Sequence, residues 1–337
     1  MFKGKIMNTI KCNYAIQLNN NLEPIYVAKN GETLLVETIN AYGKNFTNLS
    51  ELMDLIGNKY GDTHHHPLTG PIDIESAKPG DVLKIEIQKI NIDIMGQALS
   101  QSAGINPIKI SNFGERAPVI AFREEEKIYY MGGIHIPYRP MLGMIGLAPS
   151  NGFIKTGHAG HTGGNLDIPF INQGCTIYLP IESYGGKLFL GDAHGAQGYG
   201  ELGGIALEAS AKVQIKLEIL KPRYSFPSMI VIGTEPTSGK MGLGIIGVAS
   251  SFQNLNEAVF DAYQNTISIL KPLFPNLNEH YICNFITAIG HSMNGQAFSK
   301  TSESTSIINF FEEDLKYVMK SNHFSLLHDF DSIWFHY

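Results

Sequence analysis

The chain has 337 residues, 43% of them hydrophobic and 17% charged, with a formal net charge of −6. This length predicts two or three subdomains rather than one small core, and an acidic balance without a basic cluster excludes a nucleic-acid phosphate track. No run approaches the roughly 20 apolar residues of a membrane span. Three scattered cysteines (Cys12, Cys175, Cys283) with no CxxC pair, behind a start with no apolar signal core, point to the reducing cytoplasm.

The 35 glycines and 16 prolines, with Val, Ile, Thr and Tyr in short runs, predict a mainly β body with many turns. A weak strand falls at Ile25–Ala28, a stronger one within Gly31–Ile39, and a short helix at Leu49–Ile56. Lys78-Pro79-Gly80-Asp81 reads as a tight turn, Pro79 presetting φ and Gly80 taking a positive one. It feeds the clearest strand, where Leu83, Ile85 and Ile87 alternate with charges before the parity flips to Ile90, Ile92 and Ile94. Side chains on a strand alternate faces, so the slip predicts a bulge near Gln88–Lys89 of the kind found at barrel corners.

Arg123–Lys127 predicts a charged hairpin turn, and Arg139–Ser150, apolar but broken by Gly and Pro, predicts bent core strands. Cys175, at the start of an I-Y-L-P-I run, reads as a buried small hydrophobe. Lys212–Leu220 alternates with Val213, Ile215, Leu217 and Ile219 inward, and Met229–Thr234 reads as a further strand. Leu255–Leu270 has i, i+3, i+4 spacing, with Asn254 as N-cap and Pro272 as stop. Asn278–Ile289 and Ile307–Met319 are read as further helices.

Gly157–Glu208 carries the chemistry, setting Asp167, Asp192, His194, Glu201 and Glu208 among glycines. Asp192 and His194 are an i, i+2 pair, as are Asn165 and Asp167, and such pairs share one face of an extended segment. A glycine-bracketed turn can return Glu201 toward His194. One histidine with two or three carboxylates suits Zn²⁺ first, with Ca²⁺ or Mn²⁺ as alternatives. The same residues would also serve as caps in a glycine-rich β corner. Of His64-His65-His66, extended geometry sends His65 opposite to the other two, and His158 and His161 read as loop residues. No G-x-S-x-G elbow or Walker loop is present, and Gly239–Gly244 lacks the setting of a nucleotide fingerprint.

H-P-L-T-G-P-I at His66–Ile72, A-K-P-G-D-V-L-K-I-E-I at Ala77–Ile87, G-G-N-L-D at Gly163–Asp167 and G-D-A-H-G-A-Q-G-Y-G-E at Gly191–Glu201 together resemble the acetamidase/formamidase family. The resemblance runs from about residue 25 to about residue 295. It implies a mainly β fold: a barrel-like part over 1–140, a β-sandwich carrying the site over 141–221, and an α+β part with C-terminal helices over 222–337. It also implies hydrolysis of short linear carboxamides to acid and ammonia, with a bound divalent metal. On that resemblance Asp167, His194 and Glu201 are the expected metal ligands. Glu201, His66, Asn165 and Asp192 are the expected catalytic set, with Asp192 a substitute ligand and Asn165 a donor to the oxyanion.

Two departures stand out: Gly195 where the family usually has Ala, and Tyr199 where it usually has Asp; Thr162 also differs from many relatives. A lactam or cyclic amide hydrolase, or a non-catalytic small-molecule-binding β module, are the alternatives. Exposed strand edges in such a body predict a homodimer or a multiple of dimers.

Overall fold

The computed structural model describes residues 7–57, 66–92, 94–100, 116–130, 133–252, 255–295, 303–319 and 324–336. Its described strands form two large twisted sheets and a two-stranded ribbon. The first sheet runs Asn8–Ile10, Thr33–Thr38, Ala211–Pro222, Val82–Asn91, Thr176–Pro180, Ile230–Thr234, Met241–Phe252, Glu303–Phe311, His291–Asn294. The second sheet is centred on Leu188–His194 and Met141–Leu147, and extends through Glu208–Ala209 and Ile94–Ser100 to the strands Arg116–Glu124, Lys127–Tyr129 and His135–Pro137.

Alternation sets the layering. In the first sheet Leu83, Ile85, Ile177 and Val231 join a core shared with Leu142, Ile145, Leu188 and Leu190 of the second. Val82, Tyr178, Ile230 and Ile232 face the other way, into a core with Ala262, Ile269, Phe330 and Trp334 of the helices. The order is therefore sheet, sheet, helices, and burying each such side chain contributes roughly 1.5–3 kcal/mol. Among the described residues neither sheet closes into a barrel.

The expected bulge is present. Gln214 pairs with Lys89 and Ile215 with Ile87, so Gln88 is the unpaired residue that flips the apolar parity. Gly80 takes φ +91° in the predicted turn. The helices predicted over Leu49–Ile56, Leu255–Leu270 and Asn278–Ile289 form, spanning Leu49–Gly57, Leu255–Leu270 and Glu279–Ile289, the last capped by the Asn278 side chain. The expected N-cap Asn254 lies outside the described residues.

Ile307–Met319 is only half a helix. Ile307–Phe311 ends a strand, and the helix spans Glu312–Val318. Ile307 enters the inter-sheet core while Ile308 and Phe310 enter the helical one. A strand buried on both faces reads as a continuous apolar run, which periodicity does not separate from a helix. The last helix, Leu326–Trp334, is pinned by a buried Asp331 that pairs with Lys84 and accepts from the Tyr178 hydroxyl at 2.7 Å. None of the described helices is long and apolar enough to cross a membrane.

Candidate active site

The strand Met141–Leu147 lies between Leu188–His194 and Gly163–Asn165 and sets the register of the site. Met141 pairs with His194, and Met144 pairs with Gly191 on one side and Asn165 on the other. On the far side of His194, Glu208 is its cross-strand partner. The Gly143 carbonyl accepts from the Leu166 and Asp167 N–H groups at 2.8 and 3.1 Å, bringing Asp167 alongside. Two residues of one strand, Asp192 and His194, and one of a loop, Asp167, thus converge over one glycine. A Cβ on Gly143 would stand 2.4 Å from Asp167 Oδ1, 2.7 Å from Asp192 Oδ2 and 2.8 Å from His194 Cε1.

His66 Nδ1 lies 3.0 Å from Asp192 Oδ1, which is 3.5 Å from His194 Nε2, which is 3.3 Å from Glu208 Oε2. All four atoms are buried without a hydrogen bond of acceptable geometry, and Asp167 Oδ1 and Asn165 Oδ1 share that condition. Buried polar atoms are seldom left so. Donors around one ion at about 2.0–2.1 Å in tetrahedral geometry are about 3.3–3.4 Å apart, so the spacing of His194 Nε2 from Asp192 and Glu208 fits a divalent cation. One ligand atom from each of Asp192, His194 and Glu208 lies within 4.8 Å of the others, and the same holds for Asp167, His194 and Glu201.

The imidazole's tautomer follows from its neighbour. Gln197 Nε2 donates to the Asp167 carbonyl at 2.6 Å, so its Oε1, 2.8 Å from His194 Nδ1, must accept there. In the neutral ring, the form that binds a cation, Nδ1 carries the proton and Nε2 is the lone-pair donor facing Asp192 and Glu208.

Strain also collects here. Asp167, Asp192 and Glu201 have φ of +47°, +53° and +39°, three of the seven described non-glycine residues in that region. Each costs about 1–3 kcal/mol, which only over-determined surroundings sustain. The charges are equally constrained. Burial pushes Asp167 well above the usual carboxylate range, and the neighbouring Glu201 and Asp192 push it further. Glu208 is raised by burial, against the pull of His194. Burial would raise Asp192 too, but His66 and His194 outweigh it and hold it well below the ordinary range. Burial alone would lower both histidines; Asp192 and Glu208 reverse this, lifting His66 to about 9 and His194 well above its usual value.

A cleft of about 370 Å³ opens beside this cluster, lined by Gln197 and Glu201 and, farther out, by Gln97, Tyr130, Ile136 and Arg139. Both departures from the family pattern have local reasons. A Cβ at Gly195 would fall 1.8 Å from Met95 Sδ, so here the methionine occupies the space of the usual alanine. The Tyr199 hydroxyl donates to Glu235 Oε1 at 3.0 Å, tying the loop before Glu201 to a neighbouring turn through a carboxylate supplied from another strand end.

Every expected site residue therefore gathers in this region: Asn165, Asp167, Asp192, His194 and Glu201 are buried, and His66 has 26% of its side chain exposed. His64 and His65 lie outside the described residues. Sequence reasoning counted Glu208 among the acidic residues of this stretch without assigning it a role, and singled out neither Gln197 nor Gly143. Gln197 stands three residues after His194 in the same glycine-rich turn, a local signal; Glu208 and Gly143 arrive only by strand pairing.

Fold and site define a β-sandwich protein whose enclosed carboxylate–imidazole centre is suited to a cation and adjoins a cleft of small-molecule size. The chain belongs to the acetamidase/formamidase family, whose model matches residues 15–159 and 154–296. It is 28% identical over 255 residues to a candidate formamidase of Schizosaccharomyces pombe, a match that spans 57% of this chain and 60% of that relative. The fold is similar to that of an acetamidase from Bacillus halodurans, with TM-score 0.79, 25% identity, and 93% and 99% of the two chains covered. A predicted acetamidase/formamidase of Thermoanaerobacter tengcongensis is similar with TM-score 0.79, 24% identity and 93% and 98% coverage.

Proposed function

We propose that this chain hydrolyses the C–N bond of short linear carboxamides, formamide and acetamide among them, to carboxylate and ammonia at a divalent-cation centre. Family membership supports the reaction class. The observation that carries the cation is the set of unsatisfied buried atoms His66 Nδ1, Asp192 Oδ1, His194 Nε2 and Glu208 Oε2. Asp192, His194 and Glu208, whose ligand atoms lie within 4.8 Å of one another, would hold it, with His66 beside Asp192 ordering that carboxylate; Zn²⁺ is the first choice for a set containing an imidazole, with Ca²⁺ or Mn²⁺ as alternatives. Of the ligands read from sequence His194 is kept. Asp167 and Glu201 take the proton-transfer roles, because Nε2 is the ring's remaining lone pair and faces the other two carboxylates.

When bound, a divalent cation supplies a Lewis acid that polarises the amide carbonyl and lowers the pKa of water toward neutrality. Glu201, at the buried side of the cleft, accepts the proton of the attacking water. Asp167, whose carboxyl burial and the neighbouring Glu201 and Asp192 push well above the usual range, gives a proton to the departing nitrogen. The Asn165 amide donates to the carbonyl oxygen as charge develops on it. Gln197 holds the His194 ring.

Ammonia release from formamide and acetamide tests the assignment, on chelator-stripped protein and after reloading with Zn²⁺, Mn²⁺ or Ca²⁺. Glu201→Gln should lower kcat by about 10²–10⁴-fold with metal content unchanged. Wild-type kcat in that variant removes Glu201 from the chemistry. We place the protein in the cytoplasm, consistent with three free cysteines, and read it as a homodimer or multiple of dimers. Exposed Phe122, Tyr129 and Ile134 around the His135–Pro137 sheet edge support that assembly, and sedimentation velocity would reveal it.

A further inference from the structure

The cleft is larger than its expected occupants. At about 370 Å³ it far exceeds formamide or acetamide, which have three and four heavy atoms. Its lining carries both signs of charge. Glu201 is buried, 7% exposed, whereas the exposed Arg139 is the one cation among the described residues that line it.

Arg139 is fixed relative to the reaction centre. Its N–H donates to the Gly195 carbonyl at 3.1 Å, one residue beyond His194, and two residues on Met141 pairs with His194 itself. Its guanidinium forms no ion pair with any described carboxylate, although other arginine and lysine side chains, such as Arg123 and Lys187, do. The polar groups beside it are already committed. Tyr130 donates its hydroxyl hydrogen to Gln97 Oε1 at 2.6 Å, and Gln97 Nε2 donates to the Ile205 carbonyl at 2.8 Å. The strong donor left on that wall is thus the planar fork of Arg139, whose geometry matches a carboxylate.

We infer that Arg139 forms an anion subsite and that the preferred substrates are short carboxamides bearing a carboxylate at the far end, the monoamides of small dicarboxylic acids. This rests on the amidase reading of the centre and extends it. The amide end lies toward Glu201, the methylene spacer runs along Ile136 and Leu207, and the carboxylate meets the guanidinium. Hydrolysis consumes one water, breaks the C–N bond, and yields a dicarboxylate and ammonia.

The test compares succinamate with succinamide, which have the same length and differ in the terminal charge, on metal-loaded wild type, Arg139→Met and Arg139→Lys. Wild type should favour succinamate in kcat/KM by about tenfold or more, the scale of a charge-assisted pair. In Arg139→Met the ratio should fall to about twofold or less, with partial recovery in Arg139→Lys. Equal use of the two amides by wild type, an unchanged ratio in Arg139→Met, or acetamide turnover with neither longer amide accepted would overturn the subsite while leaving the amidase reading intact. If no amide at all is hydrolysed, that reading fails, and calorimetric titration with succinate and acetate decides the subsite alone. Tighter succinate binding that Arg139→Met abolishes supports it, and indifference to the substitution refutes it.

Discussion

Replacing Gly143 with alanine adds one methyl group at the point where the site's side chains meet. The glycine does not occupy the left-handed region, so the backbone accepts alanine and the effect is steric. The new carbon would stand 2.4 Å from Asp167 Oδ1, 2.7 Å from Asp192 Oδ2 and 2.8 Å from His194 Cε1. Relieving those contacts displaces each group by several tenths of an ångström to about 1 Å, and metal–ligand distances tolerate about 0.2 Å. Overpacking costs about 1–3 kcal/mol, which for a chain of this size lowers Tm by roughly 1–4 °C. Cation affinity should fall by about 100-fold or more, and ammonia release with it. Gly233→Ala is the matched control: its Cβ meets Cys175 Cβ at 2.8 Å, a similar clash away from the centre. The assay is metal titration by calorimetry beside thermal denaturation of both variants. Wild-type metal affinity and turnover in Gly143→Ala would refute the convergence of Asp167, Asp192 and His194 over that glycine.

Three further outcomes are expected. Gln197→Leu removes the acceptor of His194 Nδ1–H, so metal affinity should drop about 10- to 100-fold, read by competition with a chelating dye. Lys84→Met leaves Asp331 buried with only the Tyr178 hydroxyl and should cost about 3–5 kcal/mol in urea unfolding. Burial pushes the Cys175 thiol up to about 12. At pH 8 a thiol-specific dye should therefore label Cys12 and Cys283 but not Cys175 in the native protein. The unfolded thiol ionises near 9.0 and the folded one near 12. This group's contribution to stability is thus complete below pH 9 and falls between those values as pH rises. Rapid native labelling of Cys175, traced by peptide mass, would contradict the burial.

Local rules made much of the molecule legible. The parity flip at Gln88 predicted the bulge, the i, i+3, i+4 run predicted Leu255–Leu270, and the i, i+2 pairs Asn165/Asp167 and Asp192/His194 predicted one facing cluster. The illegible parts depend on partners distant in sequence. Glu208 faces His194 because two strands pair in that register, and Gly143 is required because an opposing strand carries Asp192. Ile307–Phe311 defeated periodicity because both its faces are covered. The left-handed φ of Asp167, Asp192 and Glu201 had no sequence signal either, since aspartate and glutamate rarely adopt it outside over-determined sites.

The most direct measurement is ammonia released from acetamide by a single preparation, assayed as isolated, after exhaustive chelation, and after stoichiometric Zn²⁺, Mn²⁺ or Ca²⁺, with metal content measured at each stage. Turnover that disappears on chelation and returns in proportion to one bound ion per active site is the predicted result. Full turnover by protein shown to be metal-free would contradict the assignment of Asp192, His194 and Glu208 to a cation.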